Sequence, residues 1–234
     1  MNSRTEQVAA FVLHTRPYRE TSALVDLFTL EYGKVSVVAR GVRRPGSTLR
    51  HTLQPFSVLA VRFAGQSELK TLHQAELAEL LPSLSGNALM CGLYANELLE
   101  RLLQPLEATP QLFLNYKVLL NDLLQFHDHE VSLRLFEQAL LRELGSWRDL
   151  SRCQQPYYRY DPVHGIRAVA EVSSAHFTGD QLRSIEMGEY TDPTIKKAAK
   201  YLMRELLKEQ LGDKPLRSRE LFQSRSKGRK GESE

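Results

Sequence analysis

The feature that most constrains the fold is a series of short apolar segments in the first third of the chain. Five of them lie between Val8 and about Leu80, and they read VAAFVLH, SALVDLFT, KVSVVARG, FSVLAVRFAG and ELKTLHQAEL. Gly and Pro turn signals separate them, and the third alternates, with Val35, Val37 and Ala39 on one face. Because barrel closure removes sheet edges, five short strands in so small a region predict a closed barrel of the oligonucleotide-binding (OB) type.

The rest of the chain has a helical pattern. After Pro82, apolar residues recur every three or four positions in stretches that Pro and Gly terminate. Five helices are predicted: after Asn87 as far as Pro105, from Pro110 to about Phe126, from His129 to Gly145, a short one at Thr178, and one from Asp192 to Gly212. The first three are expected to form a bundle. In the first, one apolar stripe is predicted from Leu89, Leu93, Leu98 and Leu102.

Together these patterns predict an α+β multi-domain protein. Residues 1–80 form the five-stranded barrel, and residues 81–222 form an α-helical C-terminal domain. Between residues 146 and 177 a Tyr-rich turn and a short apolar stretch interrupt the helical pattern, which predicts a loop or hairpin insertion. Residues 223–234 are too polar to contribute to a core, so a disordered polar tail is expected there.

Positive charge is concentrated locally. The whole chain has 31 Lys and Arg against 28 Asp and Glu, whereas residues 32–67 include no acidic residue. Residues 214–230 carry seven basic side chains and only one acidic one. A local cationic surface points to a polyanion such as nucleic acid. The alternative is a merely solvated surface, which normally mixes both signs. The candidate contacts are Lys34, Arg40, Arg43, Arg44, Arg50, Arg62, Lys70, Arg217 and Arg219.

Three of these arginines fall in one glycine-containing stretch. Arg40, Arg43 and Arg44 lie in the sequence RGVRRPGS, whose two glycines and proline predict a mobile loop. Such a loop can present three guanidinium groups to the phosphates of a nucleic acid.

Aromatic residues lie among the basic positions. A base stacked on an aromatic ring contributes about 1–3 kcal/mol without reading sequence. In a small barrel about half of the strand residues point inward, so we expect only one or two of these rings to face solvent. The six aromatic residues are Phe11, Tyr18, Phe28, Tyr32, Phe56 and Phe63.

Catalytic and metal-binding motifs are missing from the sequence. It has no phosphate-binding loop, no dinucleotide fingerprint, no nucleophile elbow and no HExxH, so we expect neither an enzyme nor a cofactor. Residues 127–130 read HDHE, which could hold a metal but is more simply an exposed linker with a capping role. Cys153, His164 and His176 are too few and wrongly spaced for structural zinc.

Cysteine usage and hydropathy indicate the compartment. Cys91 and Cys153 are far apart, so a disulfide framework is not expected. No apolar run approaches the roughly 20 residues that cross a bilayer, and the first residues lack the layout of a signal peptide. A soluble, cytoplasmic protein that does not contact membranes is therefore predicted.

The segments also resemble a known family. AFVLHTRPYRETSALVDLFTLEYGKVSVVARGVRR, LQPFSVLAVRF, GLYANELLERLL, LRLFEQALLRELG and KPLRSRELF occur in this order between about Phe11 and Phe222. They resemble the bacterial RecO recombination-mediator proteins. The resemblance implies an N-terminal OB domain, a helical C-terminal domain and a nucleoid-associated function in DNA repair. It also implies binding of single- and double-stranded DNA, annealing of complementary strands, and loading of RecA with RecR onto DNA coated by single-stranded-DNA-binding protein (SSB).

Two further expectations follow from the resemblance. Many RecO proteins have a four-cysteine zinc motif in the helical domain, but here only Cys153 lies in that region, so the chain resembles the zinc-free branch. The contact for the acidic SSB tail lies on a helix that begins LRxFE in many members. This pattern places the tail contact at Leu133 and Arg134. Without the resemblance, Arg134 would be interpreted as a solvated helix charge.

A different function remains compatible with the charge pattern. An RNA-binding OB module with a helical partner-docking domain, such as a ribosome or tRNA accessory factor, would present the same arginines to phosphates. A hydrolytic enzyme is disfavoured, because the motifs supply no activated nucleophile, metal set or paired carboxylates.

Overall fold

The first third of the chain folds into a closed five-stranded barrel. The structure is a computed structural model that describes residues 6–79, 83–125 and 128–218. The strands are paired around the barrel in the order β1-β2-β3-β5-β4, which confirms the predicted OB topology. The elements are β1 (Val8–Tyr18), β2 (Ser22–Thr29), β3 (Gly33–Ala39), α1 (Thr48–Thr52), β4 (Val58–Ala64) and β5 (Lys70–Glu79).

Alternation of side chains builds the barrel interior. On β3 the side chains of Val35, Val37 and Ala39 are buried inside, whereas Ser36 and Val38 between them are only partly buried. All strand pairs are antiparallel except β3 and β5, which run parallel. The period-2 pattern of the sequence is therefore the pattern of the barrel wall.

The outer surface of β1 and β2 is covered by two helices, α2 (Gly86–Leu102) and α3 (Pro110–Gln125). The Phe11 ring lies 5.0 Å from that of Phe113 and 4.9 Å from that of Tyr116 between ring centroids. Phe28 packs on the same two rings, and both Phe11 and Phe28 are fully buried. These apolar outward-facing residues make the helices part of the same core as the barrel wall.

A buried amide joins α2 to an irregular point of β1. The β1–β2 register shifts between Val12 and His14. The Nδ2 of Asn96 donates to the carbonyl oxygens of Val12 and Leu13, at 3.2 Å each, and the Tyr116 hydroxyl donates to the Asn96 Oδ1. Buried polar groups next to the bulge therefore have partners, as a buried irregular strand requires.

The described residues divide into two compact units, with residues 6–79, 83–125 and 215–218 in the first and residues 128–214 in the second. In the second, α4 packs on α6, and a small sheet has the strand order β7-β6-β8. Its elements are α4 (His129–Glu143), β6 (Tyr157–Asp161), β7 (Gly165–Ala168), β8 (Phe177–Thr178), α5 (Gly179–Met187) and α6 (Pro193–Leu211).

Helix starts in the second unit follow the capping signals of the sequence. The Thr178 hydroxyl accepts a hydrogen bond from the Gln181 backbone amide, and the Gln181 side-chain oxygen accepts one from the Thr178 backbone amide. Together these bonds form a capping box before α5. Asp192 caps α6, with Pro193 at the first helical position. Both predicted starts are confirmed.

The structure differs from the sequence predictions in three places. Helix α1 was not predicted, because five residues are too few to show a helical period. Leu89 is 36% exposed rather than part of a buried stripe, since the packed face of α2 is formed by Cys91, Ala95, Leu98 and Leu102. The expected three-helix bundle is divided, because α2 and α3 group with the barrel and α4 with α6. Within the described residues no helix is both long and apolar enough to cross a membrane.

Candidate nucleic-acid interface

The turn after β3 holds three exposed arginines, Arg40, Arg43 and Arg44. Backbone hydrogen bonds shape it: the amide of Arg43 donates to the Thr21 carbonyl at 2.9 Å, and that of Arg44 donates to the Gly41 carbonyl at 3.1 Å. Gly41 has a φ of +69°, a conformation that glycine adopts without strain. The predicted loop is thus a series of hydrogen-bonded turns that directs guanidinium groups outward.

The hairpin between β1 and β2 adds two arginines that the sequence analysis missed. Arg16 and Arg19 are exposed, and the Arg19 carbonyl accepts a 3.2 Å hydrogen bond from Nη1 of Arg43. The Arg19 guanidinium lies 5.2 Å from the centre of the Tyr18 ring. Glu20 lies in the same turn, so a search for sequence windows without acidic residues does not find Arg16 and Arg19. Pairing of β1 with β2 and of β2 with β3 would have shown that this hairpin lies beside the turn after β3.

Arg50 on α1 completes this group. We define the arginine cluster as Arg16, Arg19, Arg40, Arg43, Arg44 and Arg50. All six are exposed, and none forms an ion pair with an acidic side chain in the described part of the chain. Unpaired guanidinium groups can exchange water and counterions for phosphate oxygens.

A cleft of about 550 Å³ opens beside the arginine cluster. Arg43 and Arg50 belong to its lining, together with apolar side chains of β1, of the turn after β3 and of the segment after α1. Leu13, Val42 and Leu53 form part of the lining and are less than 9% exposed. The site therefore combines cations with an apolar floor.

The other predicted cations lie in different settings. The Lys34 ammonium donates to the Glu100 carbonyl at 2.7 Å, and burial lowers its pKa against the opposing effect of Glu100 and Asp26. Arg62 is exposed on β4 opposite Gln74, and the Lys70 ammonium donates to the Gly65 carbonyl at 3.1 Å.

The basic segment near the C-terminus is held by a carboxylate. The backbone amides of Arg217 and Ser218 donate to the Glu97 carboxylate at 2.9 and 2.8 Å, and the Ser218 hydroxyl donates at 2.6 Å. The Arg217 side chain is exposed. Arg219 lies outside the described residues, as does the predicted tail at 223–234. Glu97 on α2 therefore ties the described end of this segment to the unit that contains the barrel.

Most of the barrel aromatics belong to the core. Phe11, Phe28, Phe56 and Phe63 are less than 9% exposed, whereas Tyr32 is 39% exposed and Tyr18 is partly exposed. One or two solvent-facing rings were expected, and Tyr32 and Tyr18 are those that reach solvent; their role as stacking platforms for bases stays a prediction. Tyr18 lies in the hairpin of the arginine cluster, and Tyr32 packs edge-on against Phe63.

Comparison with known proteins agrees with this geometry. Residues 1–81 match the model "Recombination protein O N terminal", and residues 83–220 match "Recombination protein O C terminal". The chain belongs to the RecO family. The DNA repair protein RecO of Shigella flexneri is 43% identical over 222 residues, which cover 91% of this chain and 92% of the relative. RecO proteins of Enterobacter sp. (strain 638) and Escherichia coli (strain K12 / DH10B) are also 43% identical to this chain over 222 residues. The matched region covers 91% of this chain and 94% and 92% of the two relatives, respectively.

The residues that the RecO resemblance assigned to an SSB tail are not solvated. Leu133 is 8% exposed and Arg134 is 7% exposed. The two terminal nitrogens of Arg134 contact the Glu137 carboxylate at 3.0 and 3.1 Å, one turn along α4. Arg134 is thus half of a buried ion pair, an environment that neither the resemblance nor the helical pattern had indicated.

The HDHE segment has a capping role in this RecO chain. Asp128 caps α4 by accepting from the Glu130 amide at 3.3 Å, and its carboxylate also pairs with Lys196. His127 lies outside the described residues. Among those that are described, no three His, Cys, Asp or Glu side chains gather as metal ligands. That the chain holds no zinc stays a prediction.

Proposed function

We propose that the chain acts as a RecO-type recombination mediator that binds single- and double-stranded DNA, anneals complementary strands, and works with RecR to load RecA onto SSB-coated DNA. It has no catalytic step in this proposal, and its place is the bacterial nucleoid. The family membership supports this proposal over an RNA-binding accessory factor.

The arginine cluster is the observation that carries the proposal. A cationic surface lowers the repulsion between two strands that it holds and raises their local concentration, so base pairing can supply the driving force for annealing. Six exposed arginines without acidic partners in the described residues provide such a surface. The second strand would contact the basic C-terminal segment that Glu97 ties to the same unit.

The proposed SSB contact is at Leu133 and Arg134 on α4. A tail carboxylate needs a guanidinium group, and Arg is the residue that pairs with carboxylates in a bidentate way. Here the Arg134 guanidinium is already paired with Glu137. A bound tail would therefore compete with Glu137 for the same nitrogens.

A triple substitution tests the DNA function. Arg40→Ala, Arg43→Ala and Arg44→Ala together should weaken DNA binding to about the same extent for all sequences. Each lost phosphate contact should reduce the slope of log K against log salt by roughly 0.9 on duplex DNA. Fluorescence anisotropy titrations at several salt concentrations measure the slope, and a strand-annealing assay with and without SSB measures the consequence.

The matched control removes the same charge from the other unit. Lys197, Arg204 and Lys208 are exposed on α6, and changing all three to Ala should leave the salt slope closer to that of the parent. An equal loss in both triple variants would show that net charge, not the arginine cluster, determines binding. A changed sequence preference with an unchanged salt slope would also contradict the proposal.

A further inference from the structure

The cleft beside the arginine cluster lies where β1 is no longer paired with β4. β1 pairs with β2 as far as Tyr18, but with β4 only at Val8, Ala9 and Ala10. The second half of β1 therefore has a strand partner on one side only in the described residues. Across the cleft from it lie the turn after β3, α1 and the segment that follows α1.

The lining of this cleft has two kinds of surface. Leu13, Val42 and Leu53 form an almost fully buried floor, and Pro17 and Pro55 add apolar ring faces. Val12 and Ala23 are also apolar, and the other lining residues, His14, Thr15, Arg43, Arg50 and Gln54, are polar or cationic, with no acidic residue among them. A ligand that fits must combine a flat apolar body, polar edges and negative charge.

An unpaired nucleotide has this combination. We propose that the cleft receives one unstacked base of a single DNA strand, with the adjoining phosphates on Arg43 and Arg50. The volume of about 550 Å³ lies within the range of roughly 300–1,000 Å³ that small ligands use. The inference rests on the proposed DNA function and adds a physical reason for a preference for single-stranded over double-stranded DNA.

Duplex DNA cannot use the cleft in the same way. Its bases are stacked and paired, and extraction of one costs a few kcal/mol. Duplex would therefore bind through phosphates on the arginine cluster alone, whereas a single strand would gain the additional contact with the floor. The polar side chains of His14, Thr15 and Gln54 in the lining suit the edge of any base, so no sequence preference is expected.

Two positions in the lining permit a direct test. Thr15 is exposed and lies opposite Val25, whose side chain points into the barrel, so Thr15 is on the inward side of β1 where the cleft begins. Gln54 is exposed in the facing segment. Thr15→Leu combined with Gln54→Leu would remove two polar groups that suit the edge of a base, and the leucines have no ring to stack on a base. Gln7→Leu combined with Gln66→Leu is the control, since both glutamines are exposed and neither lines the cleft.

The experiment uses the full chain with oligo(dT) and with a duplex of the same length at one salt concentration. Loss of these two polar groups should weaken binding of the single strand roughly tenfold and leave duplex binding and the salt slope unchanged. A 2-aminopurine base within the single strand should brighten on binding to the parent and to the control, because the base unstacks, but not on binding to the cleft variant.

Two results would overturn the inference. One is a cleft variant that binds the single strand as the parent does, and the other is an equal loss on single strand and duplex. Failure of the DNA function itself would look different, because the parent would then bind neither oligonucleotide.

Discussion

The two compact units differ in how many of their cations have acidic partners. In the second unit, several cations pair with acids, among them Arg134 with Glu137, Arg142 with Glu186, Arg183 with Asp180, Lys196 with Asp128 and Lys200 with Glu130, while others such as Lys197 and Arg204 are exposed and form no ion pair among the described residues. In the first, the arginine cluster has no acidic partner within the described residues. Nearly equal totals of acid and base in the sequence therefore conceal two different surfaces.

This difference separates structural cations from those available to a ligand. An arginine that is already paired with a carboxylate has part of its charge and part of its donors committed to that partner, so it gains less from binding a phosphate. An exposed, unpaired arginine gives up only water and counterions. A count of lysines and arginines along the sequence does not separate paired from unpaired cations. The acidic side chains within contact distance of each cation do separate them.

The largest expected effect comes from breaking the buried pair. Arg134→Ala removes the guanidinium that pairs with the buried Glu137 carboxylate and should lower the free energy of unfolding by about 3–5 kcal/mol. Thermal and urea unfolding measure this loss. Replacement of both residues, Arg134→Met with Glu137→Leu, should recover most of it, because no uncompensated charge stays buried.

The double variant also decides the SSB proposal. A folded protein without Arg134 should bind an SSB-tail peptide much less tightly than the parent, with DNA affinity retained. Equal peptide affinity in a calorimetric titration would place the tail elsewhere. A single Arg134→Ala variant as stable as the parent would show that the pair contributes nothing to the fold.

A smaller effect is expected at Glu97, which has backbone partners in addition to a cation. Burial raises its pKa, but hydrogen bonds from Ser218 and Arg217 and the charge of Arg101 lower it more, to below the ordinary 4.5. Because the folded pKa is the lower one, the stabilisation is complete above about pH 4.5 and is lost as the pH falls through the folded pKa. Glu97→Gln should cost about 1–2 kcal/mol at pH 7.

Hydrogen exchange at the Ser218 amide checks this prediction locally. Exchange corrected for its intrinsic pH dependence should accelerate in the parent at acid pH and should already be fast in Glu97→Gln at pH 7. A Ser218 amide that is equally protected in both proteins at pH 7 would rule out the carboxylate as the anchor.

The smallest effect is expected from exposed pairs of the second unit. Lys200 contacts Glu130 at 3.1 Å, with the two side chains 64% and 37% exposed, and Lys196 pairs with Asp128. Lys196→Ala with Lys200→Ala should change unfolding free energy by less than about 1 kcal/mol per pair, because solvent screens such pairs. DNA affinity should fall far less than in the triple arginine variant. A comparable fall would contradict the distinction between paired and unpaired cations.

The barrel and the helix boundaries were predictable because they depend on local patterns. Each of these patterns involves only residues close together in sequence. Examples are the alternation within strands, the Gly and Pro turns, and helix caps such as Thr178 and Asp192. Helix α1 was missed because Thr48–Thr52 is a single short turn with no buried residue. Its position depends on the chain that surrounds it.

The site was predictable only in part. Exposure of Arg40, Arg43 and Arg44 follows from the turn signals beside them, and these are local. Arg16 joins the cluster through strand pairing, and the burial of Arg134 depends on packing around α4, so both are consequences of tertiary contacts. The sequence showed where positive charge lies, and the fold determines which charges remain available.

The aromatic contact between β1, β2 and α3 has a consequence for engineering and for gene fusion. Phe11 and Phe28 point away from the barrel interior and are fully buried, with Phe113 and Tyr116 packed against them. A truncated protein that stops after β5 would expose both rings to water, and it would also lose the amide of Asn96 that holds β1. Recombination between relatives should therefore preserve stability best when the crossover falls after α3 rather than at the end of the barrel.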